Sequence, residues 1–226
     1  MDKSLNEASA ENYNTLKGSA TGNQPALQLS DKMVINKGRK RICYEHPEND
    51  QLVIKIPLSN SGRKSRANHS ELKGYLLLRE EKKDLSFVSH CHGFVNTNHG
   101  EGLMCDCIRD NDGAISKTIW DIIVFEENCD VEYILQVAER FCNFLMFHKI
   151  WLFDLNLKNI ALKLLADGTY KPYAIDMKGK YVNHEIIPLS KFIPYFAEKK
   201  LKRRSEQLLR RIPEYRRKRK ELQATS

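Results

Sequence analysis

The sequence predicts an α+β protein of two lobes, a small β-rich one followed by a mostly helical one. Short apolar runs of strand length recur through residues 33–58 and again through 87–108. A single long segment, DVEYILQVAERFCNFLMFHK, instead carries apolar residues at Val131, Ile134, Leu135, Ala138, Phe141, Cys142 and Leu145. That is the i, i+3, i+4, i+7 stripe of a core-facing helix. The linker-like DNDGAISK separates the two regimes, with a hinge near Arg109 to Gly113. At 226 residues the chain suffices for one good-sized domain or two small lobes.

Residues 1–30 are polar and aperiodic, rich in Ser, Asn, Ala and Thr, and read as a flexible extension. DKMVINKG, RKRICYEH and QLVIKIPL follow as three strands, and His46-Pro47-Glu48-Asn49-Asp50 supplies turn chemistry between the last two. SNSGRKSRAN reads as a polar basic loop and HSELKGYLLLREEKK as a helix. FVSHCHGFVNTNHGEGLMCDCIRD reads as two strands around an Asn/Gly turn. After the helix at 130–149, IALKLL and YKPYAI form two short strands around Asp167-Gly168, a strong hairpin signal. Basic helices broken by Pro188, Pro194 and Pro213 complete the chain. The expected organisation is an extension at 1–30, a β-rich lobe at 31–110, a helical lobe at 111–190 and a basic helical segment at 191–226.

The net charge of +8 is unevenly spread. From Lys191 onward there are 13 Lys/Arg against 4 Asp/Glu, a surplus of +9, so residues 1–190 carry −1. An anionic partner (lipid, nucleic acid or an acidic protein) attracted by long-range charge would meet that segment first. No apolar run approaches the roughly 20 residues of a membrane helix, and the N-terminus lacks a secretory h-region. The six cysteines form no C-x-x-C pair. Free thiols in a reducing cytoplasm fit better than a disulfide framework. His90-Cys91-His92 does not read as a metal cluster, because adjacent strand residues face opposite ways. Gly100-Glu101-Gly102 reads as a turn.

The polar residues of FDLNLKNI, Phe153–Ile160, interrupt an otherwise apolar stretch. With Asp167 and Gly168 as a two-residue loop, Asn159 falls opposite Asp176 across the hairpin, with Cβ atoms about 4.5–5.5 Å apart. An amide oxygen and a carboxylate so placed would share a hard cation such as Mg2+. The alternative is that both residues merely end strands and bind their own backbone. Lys55 lies between Ile54 and Ile56, facing either solvent or an anion. Glu71 either pairs with Lys55 or closes a capping box begun by Asn68.

In order, these residues resemble the protein-kinase signature set over about residues 33–180. FLMFHKIWLFDLNLKNIAL is similar to the helix and catalytic loop, with Asp154 and Asn159 at the D-x-x-x-x-N spacing. LVIKI resembles the strand carrying the ATP-pairing lysine, and YAIDMKG the metal-binding segment. More closely, GRKRICYEHPENDQLVIKI, ELKGYLLL, IRDNDGAIS and IPLSKF resemble the PhoP regulatory network proteins, a small bacterial family. That resemblance implies a compact two-lobe protein-kinase-like fold with an antiparallel β-rich N-lobe and a short, mostly helical C-lobe. It implies a cytoplasmic Mg·ATP-dependent phosphotransferase acting on an unidentified hydroxyl in a small molecule, lipid or sugar. Lys55 would hold the α/β-phosphates and pair with Glu71, near Gly38. The backbone of Ile108 to Asp110 would meet adenine. Asp154 would accept the acceptor's proton with Lys158 nearby, and Asn159 and Asp176 would hold Mg2+.

The departures define a second reading. Leu152-Phe153 stands where His-Arg is usual, and Asn156 where a phosphate-contacting lysine is usual, with Lys158 as its substitute. Met177-Lys178 replaces Phe-Gly. Gly38 is the lone glycine of its loop, beside Arg39, Lys40 and Arg41, whose charges would hold phosphates instead. No Ala-Pro-Glu segment follows. The alternative is a kinase-like regulatory or nucleotide-binding protein without turnover. A third reading is nucleic-acid binding through the basic segment, where only Tyr195, Phe196 and Tyr215 could stack on bases.

Overall fold

The computed structural model describes residues 25–59, 62–177 and 194–224. The chain is α+β, with seven strands and four α-helices among them. It divides into two units, one holding residues up to Leu85 with Ser89–Cys107, the other Ser86–Val88 with Ile108 onward.

The first unit is a five-stranded antiparallel sheet and one helix. β1 (Val34–Lys37), β2 (Arg41–Glu45), β3 (Leu52–Pro57), β4 (Cys91–Thr97) and β5 (Gly100–Asp106) lie in the order β1-β2-β3-β5-β4. Residues paired directly across an antiparallel ladder share a face, so the register sorts the side chains. Ile42 with Ile56, and Tyr44 with Ile54 and Met104, lie on one face. Leu29 packs into that face, with Leu27 and Met33 beside it. Arg41, Cys43, Lys55, Leu103, Cys105 and Cys91 lie on the other. Helix α1 (Gly62–Glu80) packs against β3, β4 and β5. Gly102 is required where β5 passes β3, because a Cβ there would stand 2.4 Å from Ile54 Cγ2.

Three expectations need correction here. Residues 25–30 do not belong to a loose extension. Leu27 bridges Thr97, and Leu29 is fixed at both its N–H and its carbonyl by the Asn98 side chain, which seats its apolar side chain in the core. The segment read as a basic loop is helical from Gly62, so Asn68 stands inside α1 and caps nothing. Gly100–Gly102 opens β5 instead of forming a turn.

The second unit gathers α2 (Ile119–Phe125), α3 (Val131–Phe147), the hairpin β6 (Ile160–Leu164) and β7 (Tyr170–Ala174), and α4 (Pro194–Ala224). Thr118 and Asp121 form a capping box on α2, and Asp130 caps α3. α3 buries Ile134, Val137, Ala138, Phe141, Cys142 and Leu145, so Val137 joins the expected stripe while Val131 and Leu135 are only half-buried. α4 packs on α3 and α2. Pro194 opens it, where its missing N–H costs nothing, but Pro213 lies inside a continuous helix instead of ending one. Leu208, Ile212 and Arg216 are buried on either side of that proline and hold the helix through it. Pro188 and the IPLSKF run lie outside the described residues.

Arg216 anchors α4 to the end of α2. Its guanidinium donates to the carbonyls of Ile123 at 3.2 Å and Glu126 at 2.6 Å, and to that of Glu127. The Ile123 carbonyl is in the last turn of α2, which lacks internal donors, and the other two follow directly after it. Arg216→Met keeps the aliphatic stem and removes every donor. It should lower unfolding free energy by about 2–3 kcal/mol, the cost of stranding buried acceptors of a charged donor. Urea denaturation measures this, and exposed Arg217→Met should change it far less.

Candidate functional site

In the first unit the site is a buried ion cluster. Lys55 projects from the α1-facing side of β3 and Glu71 from α1. Lys55 Nζ lies 2.6 Å from Glu71 Oε1, with the two residues 5% and 2% exposed. The other Glu71 oxygen accepts from the Arg41 guanidinium, which comes from β2 on the same sheet face. Asn68, one helical turn before Glu71, completes the set. It donates to the Lys55 carbonyl at 2.7 Å and accepts from Arg41 at 3.2 Å. Lys55 therefore faces inward, because a helix covers its side of the sheet, and Glu71 serves that lysine instead of a capping box.

The charges follow from the packing. Burial pushes the Glu71 carboxyl up, but Arg41 and then Lys55 hold it down, to about 2. Burial alone would push the Lys55 ammonium down. Cys105 and Glu71 outweigh it, and the ammonium titrates above its usual range. One carboxylate thus faces two permanent cations, leaving a surplus positive charge in the cluster, which suits an anion.

In the second unit the FDLNLKNI segment is a short 3₁₀ turn, Leu157–Asn159, leading into β6. Each polar residue has its place. Asn156 caps the turn, its side chain accepting from Lys158 N at 3.1 Å. Asn159 Nδ2 donates to the Asp154 carbonyl at 3.3 Å, so its amide is oriented and Oδ1 is the end left to serve as a ligand. Asp154 is half-buried between buried Phe153 and Leu155. Lys158 does not project freely, since its Nζ lies 4.4 Å over the Trp120 ring.

The hairpin register differs from expectation by one residue. Ile160 pairs with Ala174, and Leu165 N donates to the Thr169 carbonyl, closing a three-residue loop with Gly168 at φ +79°. Ala166 belongs to the loop, so the two-residue turn read from Asp-Gly is one residue short. Asn159 therefore lies opposite Ile175, whose N–H donates to the Asn159 carbonyl, and Asp176 follows directly. Both residues remain at the same end of the hairpin, and one carboxylate oxygen of Asp176 is buried there.

The remaining residues are placed less tellingly. Gly38 sits in the β1–β2 turn, where a Cβ would meet only the Arg41 carbonyl at an ordinary 3.5 Å. The Ile108 carbonyl accepts from Ser116 N, and Asp110 N donates to the Ala114 carbonyl. The Asp110 carboxylate accepts from Ser116 Oγ and Leu164 N, which makes it a brace between this loop and β6. Two participants hold roles that the sequence does not predict. Asn68 was recoverable from its i, i+3 spacing to Glu71. Lys200, whose Nζ lies 4.2 Å over the ring of Phe153, came from a helix with no sequence link to the loop. His90 and His92 both turn to Asp106 on the exposed side while Cys91 is buried, as strand alternation requires.

The model of the family described as PhoP regulatory network protein YrbL matches residues 27–213. The chain belongs to that family. Relatives named uncharacterized protein YrbL, from Escherichia coli (strain K12) and Shigella flexneri, are each 29% identical over 181 residues, covering 78% of this chain and 83% of the relative. In this YrbL-family chain the match takes in Arg41, Lys55, Asn68, Glu71, Asp154, Asn159 and Asp176.

The ion cluster makes an asymmetric prediction. Glu71→Gln leaves two buried cations without a counter-charge and should cost about 3–5 kcal/mol near neutral pH. Lys55→Met leaves Glu71 with Arg41 and should cost less. Because the Glu71 pKa is depressed, its contribution is complete above the unfolded value of 4.5 and is lost as pH falls through about 2. The stability gap between wild type and Glu71→Gln should therefore close over that interval in urea titrations.

Proposed function

We propose that the chain is a kinase-like Mg·ATP-dependent phosphotransferase that acts on a hydroxyl acceptor. The observation that carries this reading is the Lys55–Glu71 pair at 2.6 Å, with Arg41 as a second cation. A buried lysine held by one carboxylate is fixed in position and charge, as a phosphate ligand must be. The donor set of the second unit suits magnesium, because the Asn159 amide oxygen and the Asp176 carboxylate are hard oxygen ligands. Neither residue is a soft donor that would select another metal.

In this reading Lys55 binds the α/β-phosphates and Glu71 keeps the ammonium pointed at them. Arg41, the residue closing the lone-glycine turn, adds charge where a glycine-rich backbone cradle is missing. Asp154 orients the acceptor hydroxyl and takes its proton as the phosphoryl group transfers. Asn159 fixes the loop through the Asp154 carbonyl and presents Oδ1 to the metal. Bound magnesium would neutralise phosphate charge. The acceptor is a small molecule, lipid or sugar.

A second reading, nucleotide-dependent regulation without turnover, is favoured by one observation. Lys158, the candidate for the phosphate-contacting cation of the loop, is drawn over Trp120. Of the aromatics that could stack on bases, Tyr215 packs edge-on against Trp120 at 4.9 Å, while Tyr195 and Phe196 are exposed. The test is transfer from γ-labelled ATP into protein, lipid and small-molecule fractions of a bacterial extract. Asp154→Ala should cut labelling by at least about a hundredfold, as loss of a catalytic base does. Undiminished labelling by Asp154→Ala would contradict the phosphotransferase reading. Nucleotide binding without label in any fraction would favour the regulatory one.

A further inference from the structure

Cys91 and Cys105 face each other directly across the β4–β5 ladder, with their sulfurs 3.4 Å apart. Residues opposed in this way have Cα atoms about 4.5–5.5 Å apart, inside the range that a disulfide spans. A disulfide would bring the sulfurs to about 2.05 Å. Both thiols are buried, on the sheet face that carries Lys55. Their sulfurs and a Glu71 carboxylate oxygen all lie within 4.8 Å of one another. Such a trio resembles a metal site, but both Glu71 oxygens are engaged by cations, Lys55 on one and Arg41 on the other. What remains is a pair of thiols, each the other's nearest reactive partner.

We propose that Cys91 and Cys105 form a reversible disulfide when the protein meets hydrogen peroxide. Cys91 reacts first, because β4 is an edge strand of its sheet. Cys91 is also its first residue, beside a register irregularity that reaches Gly93 at φ +108°. Strand ends at irregular edges open most readily. The Cys105 thiol and burial hold the Cys91 thiol well above its usual range, so it is inert while packed and reacts on opening. The deprotonated Cys91 sulfur attacks a peroxide oxygen. The O–O bond breaks, a sulfenic acid forms, and the departing hydroxide takes up the proton Cys91 released, leaving as water. The Cys105 sulfur then attacks the sulfenic sulfur. The S–S bond forms, the S–O bond breaks, and the hydroxyl departs with the Cys105 proton as a second water. Two electrons pass from the thiols to the peroxide.

Cys43 sits on β2, with β3 between it and β5, Cys129 lies in the loop between α2 and α3, and Cys142 is on α3. The consequence is local to the ion cluster. Oxidation replaces two thiols beside Glu71 with a bond that ties the sheet edge to its neighbour.

The test is a non-reducing peptide map of the full chain after hydrogen peroxide treatment, with free thiols alkylated during denaturation. The expected product joins the Cys91 and Cys105 peptides at a mass lower by two hydrogens, and dithiothreitol reverses it. Cys129→Ser should leave the product unchanged, and Cys91→Ser should abolish it. Because Cys91→Ser could fail to fold, the wild-type map decides by itself. Recovery of Cys91 and Cys105 as alkylated thiols after Cys43 or Cys129 has oxidised would overturn the proposal. So would their appearance in other pairings, or as sulfinic and sulfonic acids without a cross-link.

Discussion

A carboxylate at 2% exposure cannot remain charged unless something repays its lost hydration, and around Glu71 two cations do so. Removing an ion from water costs several kcal/mol even after relaxation. The position of α1 against the sheet, the inward turn of Lys55 and the seating of Arg41 all follow from satisfying that one group. Asn68 secures the arrangement by tying α1 to the β3 backbone, so that helix and strand hold a fixed register. An apolar contact at the same place would pack as well and would leave no directed positive charge.

The second unit solves a different problem with weaker, shorter-range bonds. An irregular turn between a core helix and a core strand must satisfy its backbone without a ladder. Asn156 caps the turn and Asn159 reaches the Asp154 carbonyl, while Leu155 and Leu157 are buried between them. The polar interruption of an apolar stretch is therefore partly structural. Asn156 is accounted for by the turn itself. Asp154 and Asp176 are the carboxylates to which the proposed phosphotransfer gives a role.

How far this could be read from the sequence depended on the range of the interaction. Every strand of the sheet was legible except the opening residues of β5, because alternation and turn residues are local signals. So was α3, whose buried stripe gains Val137 while Val131 and Leu135 are only half-buried. The start of α1 was misread because Ser, Asn and Gly favour loops, and contacts with the sheet override that preference. The hairpin register was lost by one residue, since loop length cannot be told from an Asp-Gly pair alone. The facing of Lys55 could not be read at all. Periodicity shows that a residue lies on one side of a strand, but not which side a helix will cover.

The family match and the ion cluster are independent facts, and the phosphotransferase reading joins them through one expectation: Lys55 is a phosphate ligand and more than a structural cation. Titration calorimetry of Mg·ATP into wild type, Lys55→Met and Asp154→Ala tests it most directly. Wild type and Asp154→Ala should bind with similar affinity, because a base for the acceptor proton contributes little to nucleotide binding. Lys55→Met, checked for folding by circular dichroism, should show no measurable binding. Equal binding by folded Lys55→Met and wild type, or no binding by wild type, would contradict the account.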